Sequence, residues 1–171
     1  VPSRAVARVT RWTPGESGHW SGLVQKTDHA NLAHAPEWFE AIQKAYGHTP
    51  LYLQTESASR HVAILPAFVL RSRLFGSVAA SMPFLDGGGP CATTPELGQK
   101  LIHALVEEAR QLGIDRVEFR STTELDLPVE ASQSKFNMVR SLPQDADQLW
   151  RRLDAKVRNQ VRKAERSGLS V

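Results

Sequence analysis

Three consecutive glycines, Gly87, Gly88 and Gly89, stand between Asp86 and Pro90. A stable helix or central strand does not hold such a run, because each glycine loses backbone entropy and brings no side chain to packing. The residues Ser77, Val78, Ala79 and Ala80 before them read as a buried strand. Thr93-Thr94-Pro95-Glu96 after them reads as a helix start. Thr94 would cap with Pro95 at the first helical position, or Thr93 and Glu96 would form a capping box. Strand, glycine loop and helix in that order bring backbone N–H groups to a strand end, where a phosphate or carboxylate can be received. The spacing alone favours a demanding turn without a ligand, since no Lys-Ser/Thr pair follows the glycines as in a phosphate-binding P-loop.

Other reactive side chains are scattered. Cys91 precedes a helix N-terminus, which favours a thiolate. A nucleophilic cysteine also needs a base. His103 lies about three turns into the following helix, so the spacing gives no Cys/His pair and points to a buried, inert thiol. Asp86 would orient a substrate or act as a base; the commoner role is a turn bond to the glycines after it. His19, His29 and His34, with Asp28 among them, lack metal-site spacing on one helix face, so they read as loop histidines and no metal is expected. Glu107, Glu108 and Glu118 show no partnership, and no catalytic base is assigned. The basic residues are concentrated. Over residues 149–168 there are seven Lys or Arg (Arg151, Arg152, Lys156, Arg158, Arg162, Lys163, Arg166) against Asp154 and Glu165. The remainder holds fourteen basic and sixteen acidic residues.

With 171 residues the chain is long enough for one domain with a sizeable core and short for two. A hydrophobic share of 41% and a charged share of 23% fit a soluble globular protein. No apolar run approaches a membrane span and no signal-peptide pattern opens the chain. A single cysteine excludes an internal disulfide and suits a reducing, cytoplasmic compartment. The start at Val1 and the stop at Val171, just after a helix end at Gly168, suggest one domain of a longer protein.

These residues need positioning. Residues 5–12 read as a strand and 13–18 as a turn. Residues 19–34 are ambiguous. Pro36 opens a helix with Trp38, Phe39, Ile42, Ala45 and Tyr46 at helical spacing, an aromatic stripe that reads as core, and Gly47 ends it. Strands follow at 51–55, 61–70 and 76–82, joined by hairpin turns at 56–60 and 71–75. Pro66 inside the second marks a bulge or an edge. A helix over 95–112, a strand over 116–120 with Val117 and Phe119 inward, and a strand over 135–140 come next. The last helix is expected over 146–167, unbroken. At 100° per residue Leu149, Trp150, Leu153, Val157, Val161 and Ala164 share an arc of about 120°, with the basic residues opposite. A solvated face is the commonest meaning of such a basic stripe. A surface for phosphate-bearing ligands comes second, and an interfacial membrane helix third. The order implies an α/β (α+β) fold, with a mixed, mostly antiparallel sheet and helices on its faces. Residues 1–144 would form the core, and 145–171 the basic helix and the start of a further strand. The partly uncovered apolar stripe predicts self-association, a homo-oligomer through that helix.

Three stretches, in order, resemble the FemAB-like group of the GNAT acyltransferase superfamily. They are Pro36-Glu37-Trp38-Phe39 with Tyr46-Gly47; Phe75-Gly76 with Ser81-Met82-Pro83-Phe84 and Gly87-Gly88-Gly89-Pro90; and Trp150, Leu153, Lys156, Arg158, Asn159, Arg162, Lys163, Ala164, Gly168 and Leu169. The chain looks most similar to the exosortase-associated and exopolysaccharide-associated members, whose domain carries a BioF2-like acetyltransferase label. The resemblance implies a GNAT-like domain with helices on both faces, the first of two in tandem. It implies acyl or aminoacyl transfer to a cell-envelope or exopolysaccharide precursor, with acyl-CoA or aminoacyl-tRNA as donor and no firmly bound cofactor. Phosphate-bearing substrates, tRNA among them, would be the partners. The ligand-facing residues would be Pro83, Phe84, Asp86, Gly87, Gly88 and Gly89 in the loop, with Lys156, Arg158, Arg162 and Lys163. Gly87 departs from the family by standing where an aromatic residue is expected. The competing expectation is a non-catalytic binding or assembly module that docks through the basic helix.

Overall fold

The computed structural model describes residues 8–27, 29–56, 61–122, 125, 138 and 140–169. The strands are β1 (Thr10–Arg11), β2 (Thr49–Pro50), β3 (Leu53–Glu56), β4 (Val62–Leu65), β5 (Ala67–Ser72), β6 (Gly76–Ser81), β7 (Cys91–Ala92) and β8 (Arg116–Glu118). The helices are α1 (Ser17–Lys26), α2 (Glu37–Tyr46), α3 (Pro95–Gln111), α4 (Ala146–Arg152) and α5 (Ala155–Arg166), with 3-10 turns at Pro14–Glu16 and Leu32–His34. The chain divides into two compact units, residues 1–127 and 128–171.

In the first unit the ladders run β1-β3-β4-β7 and β2-β5-β6-β8. Their registers join them. Leu53 faces Leu65, Thr49 faces Val69, and Leu51 N–H donates to Ala67 O at 2.7 Å between the two. The run through β2 and β3 therefore pairs with the run through β4 and β5 on one register, straight across Pro66. Side chains alternate along it without a slip. Tyr52, Val62, Ile64 and Phe68 enter one core, while Leu51, Leu53, Ala63, Leu65, Ala67 and Val69 enter the other. The first core is closed by Trp20 and Leu23 of α1 and by Phe39 and Ile42 of α2. The second is closed by Leu97, Leu101 and Leu105 of α3. The fold is thus mixed α/β with helices on both faces.

Pro66 explains where the ribbon departs. Its carbonyl accepts Met82 N–H at 3.3 Å, so its missing N–H falls on the same side, towards β6. The neighbouring chain has no donor to meet there. It leaves the ladder after Met82 and rejoins where Cys91 faces Ile64. Pro66 lies at an interior excursion of its neighbour, not at a sheet edge. After α3 the chain returns as β8, parallel to β6, and the other pairings are antiparallel. The hairpin from β5 to β6 turns over Arg73, Leu74 and Phe75, as expected.

Several expectations change. Of the strand over 5–12, Thr10 and Arg11 are paired; residues 5–7 lie outside the described residues. The ambiguous stretch holds α1, whose Trp20, Leu23 and Val24 have helical spacing that Gly18 and Gly22 obscure. Thr94 stands at the N-cap position of α3 with Pro95 next to it, but its side chain makes no cap hydrogen bond, while Thr93 Oγ1 accepts Val62 N–H at 2.9 Å. The expected strand over 135–140 falls mostly outside the described residues, though Met138 and Arg140 are described and exposed.

The second unit corrects the last helix. It is broken at Leu153, whose ψ of 145° is extended, and Asp154 begins a new helix by accepting Lys156 N–H at 2.8 Å. A short carboxylate at an N-cap satisfies a donor that a continuous helix would leave to its backbone ladder. No residue of α4 or α5 is buried, so core packing does not hold the two in line.

Candidate functional site

The loop over residues 82–90 is fixed from below. Asn31 opens the 3-10 turn Leu32–His34, its Oδ1 accepting Ala33 N–H at 2.8 Å. Its own N–H donates to His34 Nδ1 at 3.1 Å. From this turn, Asn31 Nδ2 donates to Gly87 O and His34 Nε2 meets Gly89 O, each at 2.9 Å. The turn, some 55 residues away in sequence, thus holds the loop by its glycine carbonyls.

Close approach explains why these residues are glycines. Gly87 has φ +77°, and a Cβ there would lie 2.7 Å from Thr122 Cγ2. A Cβ on Gly88 would lie 2.3 Å from Met82 Cβ, and one on Gly89 3.0 Å from Ser121 Cα. All three are buried, as is Pro83, whereas Asp86 is exposed. The cavity beside Gly87, Gly89 and Cys91 measures about 10 Å³. That is room for a single water and not for a phosphate. The glycines themselves form a conformationally demanding turn.

Cys91 and His34 meet, which sequence spacing did not reveal: Sγ lies 3.2 Å from Nε2. The pair is not a nucleophile and its base. Asn31 N–H can only donate, so Nδ1 is an acceptor and Nε2 carries the proton of the neutral ring. That proton faces Gly89 O and the sulfur. Burial lowers the His34 pKa, against the raising effect of its two backbone bonds. Burial pushes the Cys91 thiol up to about 11. The thiol is free and buried, as its sequence position suggested. His34 is not a loop histidine but a wholly buried clamp. Trp20 Nε1 donates to its carbonyl at 2.8 Å.

The outward part of the loop is Phe84. Met82 has φ +41° and Phe84 φ +73°. Such backbone costs about 1–3 kcal/mol per residue outside glycine and survives where surroundings enforce it. Met82 is enforced by full burial, with Tyr52 Oη donating to its Sδ at 3.5 Å. Phe84 is displayed instead, 55% exposed, and stacks on Tyr46 with ring centroids 4.5 Å apart. Tyr46 is 59% exposed, so the α2 stripe is core at Phe39 and Ile42 but surface at its end. His48 joins both rings at 5.7 and 6.0 Å. Tyr46 and His48 carried no sequence signal as a site, because ring contacts across 38 residues are a tertiary matter.

In the second unit Lys156, Arg158, Arg162 and Lys163 lie on α5. The apolar and basic faces are not cleanly opposed there. Arg162 sits over the Trp150 ring, 5.5 Å from its centroid, and Arg158 Nη1 donates to Arg151 O at 3.3 Å. Val157 and Val161 remain exposed.

Among the described residues no group of three or more His, Cys, Asp or Glu side chains could hold a metal ion, and no helix is long and apolar enough to cross a membrane. No family model matches the chain, and no curated protein sequence matches it. Among solved structures it is similar to a crystal structure of a transcriptional regulator from Bacillus halodurans C-125. The TM-score is 0.50 at 12% identity, over 78% of this chain and 99% of that one. At that identity the likeness is one of fold alone.

Proposed function

We propose that this chain is the N-terminal, ligand-binding domain of a FemAB-like acyl- or aminoacyltransferase acting on a cell-envelope or exopolysaccharide precursor. The observation that carries the reading is the loop over residues 82–90. It leaves the sheet beside Pro66, is tied down at Gly87 and Gly89, and displays Phe84 beside Tyr46. Residues of this loop are among those through which the chain resembles the family. Acyl transfer joins a substrate amine or hydroxyl to an activated acyl carbon. It depends on positioning, an oxyanion donor and a proton acceptor. The loop supplies a rigid surface for positioning. His34 and Cys91 lie buried beneath the loop, where His34 ties it at Gly89. The basic side chains of α5 suit a phosphate-bearing donor, acyl-CoA or aminoacyl-tRNA. Cytoplasmic placement follows from those donors.

The absence of any buried residue in α4 and α5 favours a second reading, a binding or assembly module that docks through this basic unit or pairs with a second copy. One experiment separates the two. Arg158, Arg162 and Lys163 are changed together to Glu in the protein as its gene encodes it. Transfer of labelled acyl groups from acyl-CoA and of labelled amino acids from aminoacyl-tRNA to isolated precursors is then measured. At least a tenfold loss of turnover, with unchanged melting and partner binding, supports the transferase. Lost association in a protein that never turns over supports the module.

A further inference from the structure

The β5–β6 hairpin ends in an apolar tip. Its turn is Arg73, Leu74 and Phe75, with Leu74 81% and Phe75 85% exposed. Every residue from Arg71 to Gly76 is exposed, so the tip projects from the first unit. We propose that this tip docks the protein on an anionic lipid surface, with Leu74 and Phe75 entering the acyl boundary and arginines at the headgroups. This goes beyond the transferase reading and is independent of it, since a binding module would use the same tip.

Glycine, asparagine, aspartate and serine are the usual residues of a hairpin turn, so two large apolar side chains at its apex call for a reason. A phenylalanine side chain offers about 150–250 Å² and a leucine less, so the two together present under about 500 Å². A stable protein interface needs about 800 Å² from each side, in a partner shaped to receive it. A projecting tip meets a fluid lipid surface without any such shape. Its backbone also fits an apolar phase, where an N–H without a partner is costly. Ser72 Oγ accepts Leu74 N–H at 3.2 Å and Phe75 N–H at 3.1 Å, so the turn satisfies both donors itself.

Charge selects an anionic surface. Arg73 lies in the turn itself, and Arg71 faces Ser77 across the ribbon, its Nη2 donating to Leu112 O at 3.0 Å. Arg116 opens β8 opposite Val78. The carboxylate beside it, Asp115, is engaged at the base of the hairpin, where its Oδ2 accepts both Ser77 N–H and Ser77 Oγ–H at 2.7 Å. The ribbon end and the start of β8 thus bring three arginines against that one carboxylate. Each arginine near an anionic leaflet strengthens binding about fivefold. The bonds from Ser77 to Asp115 also tie the hairpin to β8, so the tip is ordered before it meets a surface and loses little freedom on docking. Two apolar side chains with three cations make a reversible anchor, comparable to a single acyl chain at about 10⁴ M⁻¹.

The test is co-sedimentation of the protein, as its gene encodes it, with vesicles of phosphatidylcholine alone and of phosphatidylcholine and phosphatidylglycerol in equal parts. The anionic vesicles should bind it at millimolar lipid or below, at least tenfold better than the neutral ones. Leu74→Ser and Phe75→Ser should each weaken binding at least tenfold, and Arg73→Gln about fivefold. None should move the melting temperature, because all three positions are exposed. Phe75→Trp should retain binding, with its emission quenched by bromine-labelled acyl chains. No binding to the anionic vesicles would overturn the proposal. Binding that survives Leu74→Ser and Phe75→Ser would overturn it too, and its loss when Arg158, Arg162 and Lys163 are changed to Glu would then place the contact on α5. A dimer that Phe75→Ser dissolves, in a protein that binds no vesicles, would overturn it in favour of a second copy of the chain.

Discussion

Replacing Gly88 with alanine would set a methyl group 2.3 Å from Met82 Cβ and 2.4 Å from its Cγ. Neither atom can swing away. Cβ moves only with the backbone, which is already at φ +41°, and the side chain is wholly buried among aromatic rings. Overpacking of a filled core costs about 1–3 kcal/mol, and a clash with the root of a buried side chain belongs at the upper end. For a chain of this length each kcal/mol shifts the melting temperature by roughly 2–4 °C. Gly88→Ala should therefore melt about 6–12 °C lower. Gly98 gives a control of opposite sign. It lies inside α3, and a Cβ there would sit 3.5 Å from Ala92 Cβ, an ordinary contact. Alanine in a helix gains about 0.5–1 kcal/mol over glycine, so Gly98→Ala should melt a degree or more higher. Thermal unfolding followed by tryptophan fluorescence, with Trp12 and Trp20 in the same core as Met82, reads both. Equal melting of Gly88→Ala and the parent would refute the claim that the triglycine is required by close packing against Met82.

Two further measurements address the clamp beneath the loop. The folded-state pKa of His34 is lowered, so as pH falls through about 6.5 the unfolded chain takes the proton first. Stability is full above that value and declines below it, by at most about 1.4 kcal/mol per pH unit, until the folded state also protonates. His34→Gln should flatten this decline in urea midpoints taken between pH 7.5 and 5; an unaltered profile would show that the imidazole is not the titrating clamp. Cys91, with its thiol pushed up to about 11, should react with iodoacetamide at pH 8 about a hundredfold more slowly in the folded chain than in urea. Equal rates would mean that the sulfur is neither buried nor held as a thiol.

Much of the scaffold was legible because its signals are local. Pro36 and Gly47 bound α2 as their chemistry requires, Thr94 and Pro95 start α3, and the short turns between β-branched runs give the hairpins. The parallel return of β8 to β6 was implied by a helix between strands. Where local signals were mixed, reading failed. Glycines hid α1, and a stripe that fits one continuous helix hid the break at Leu153, although Asp154 was in place as a cap.

The sequence by itself determined that three glycines must form a turn after a strand and that cations gather near the end of the chain; it gave no sign that His34 lies against Cys91. Only the tertiary structure decided what the turn is for. Gly88 is a glycine because Met82 Cβ occupies its space, and Gly89 is tied by a histidine some 55 residues away. Tyr46 and Phe84 became a surface because a strained backbone turns one ring outward onto the end of a helix. Helical period, caps and turns act within a few residues and are written in order along the chain. Contacts between distant side chains depend on where the sheet register brings them, and the Pro66 carbonyl, with no N–H beside it, sets where that register lets the loop go.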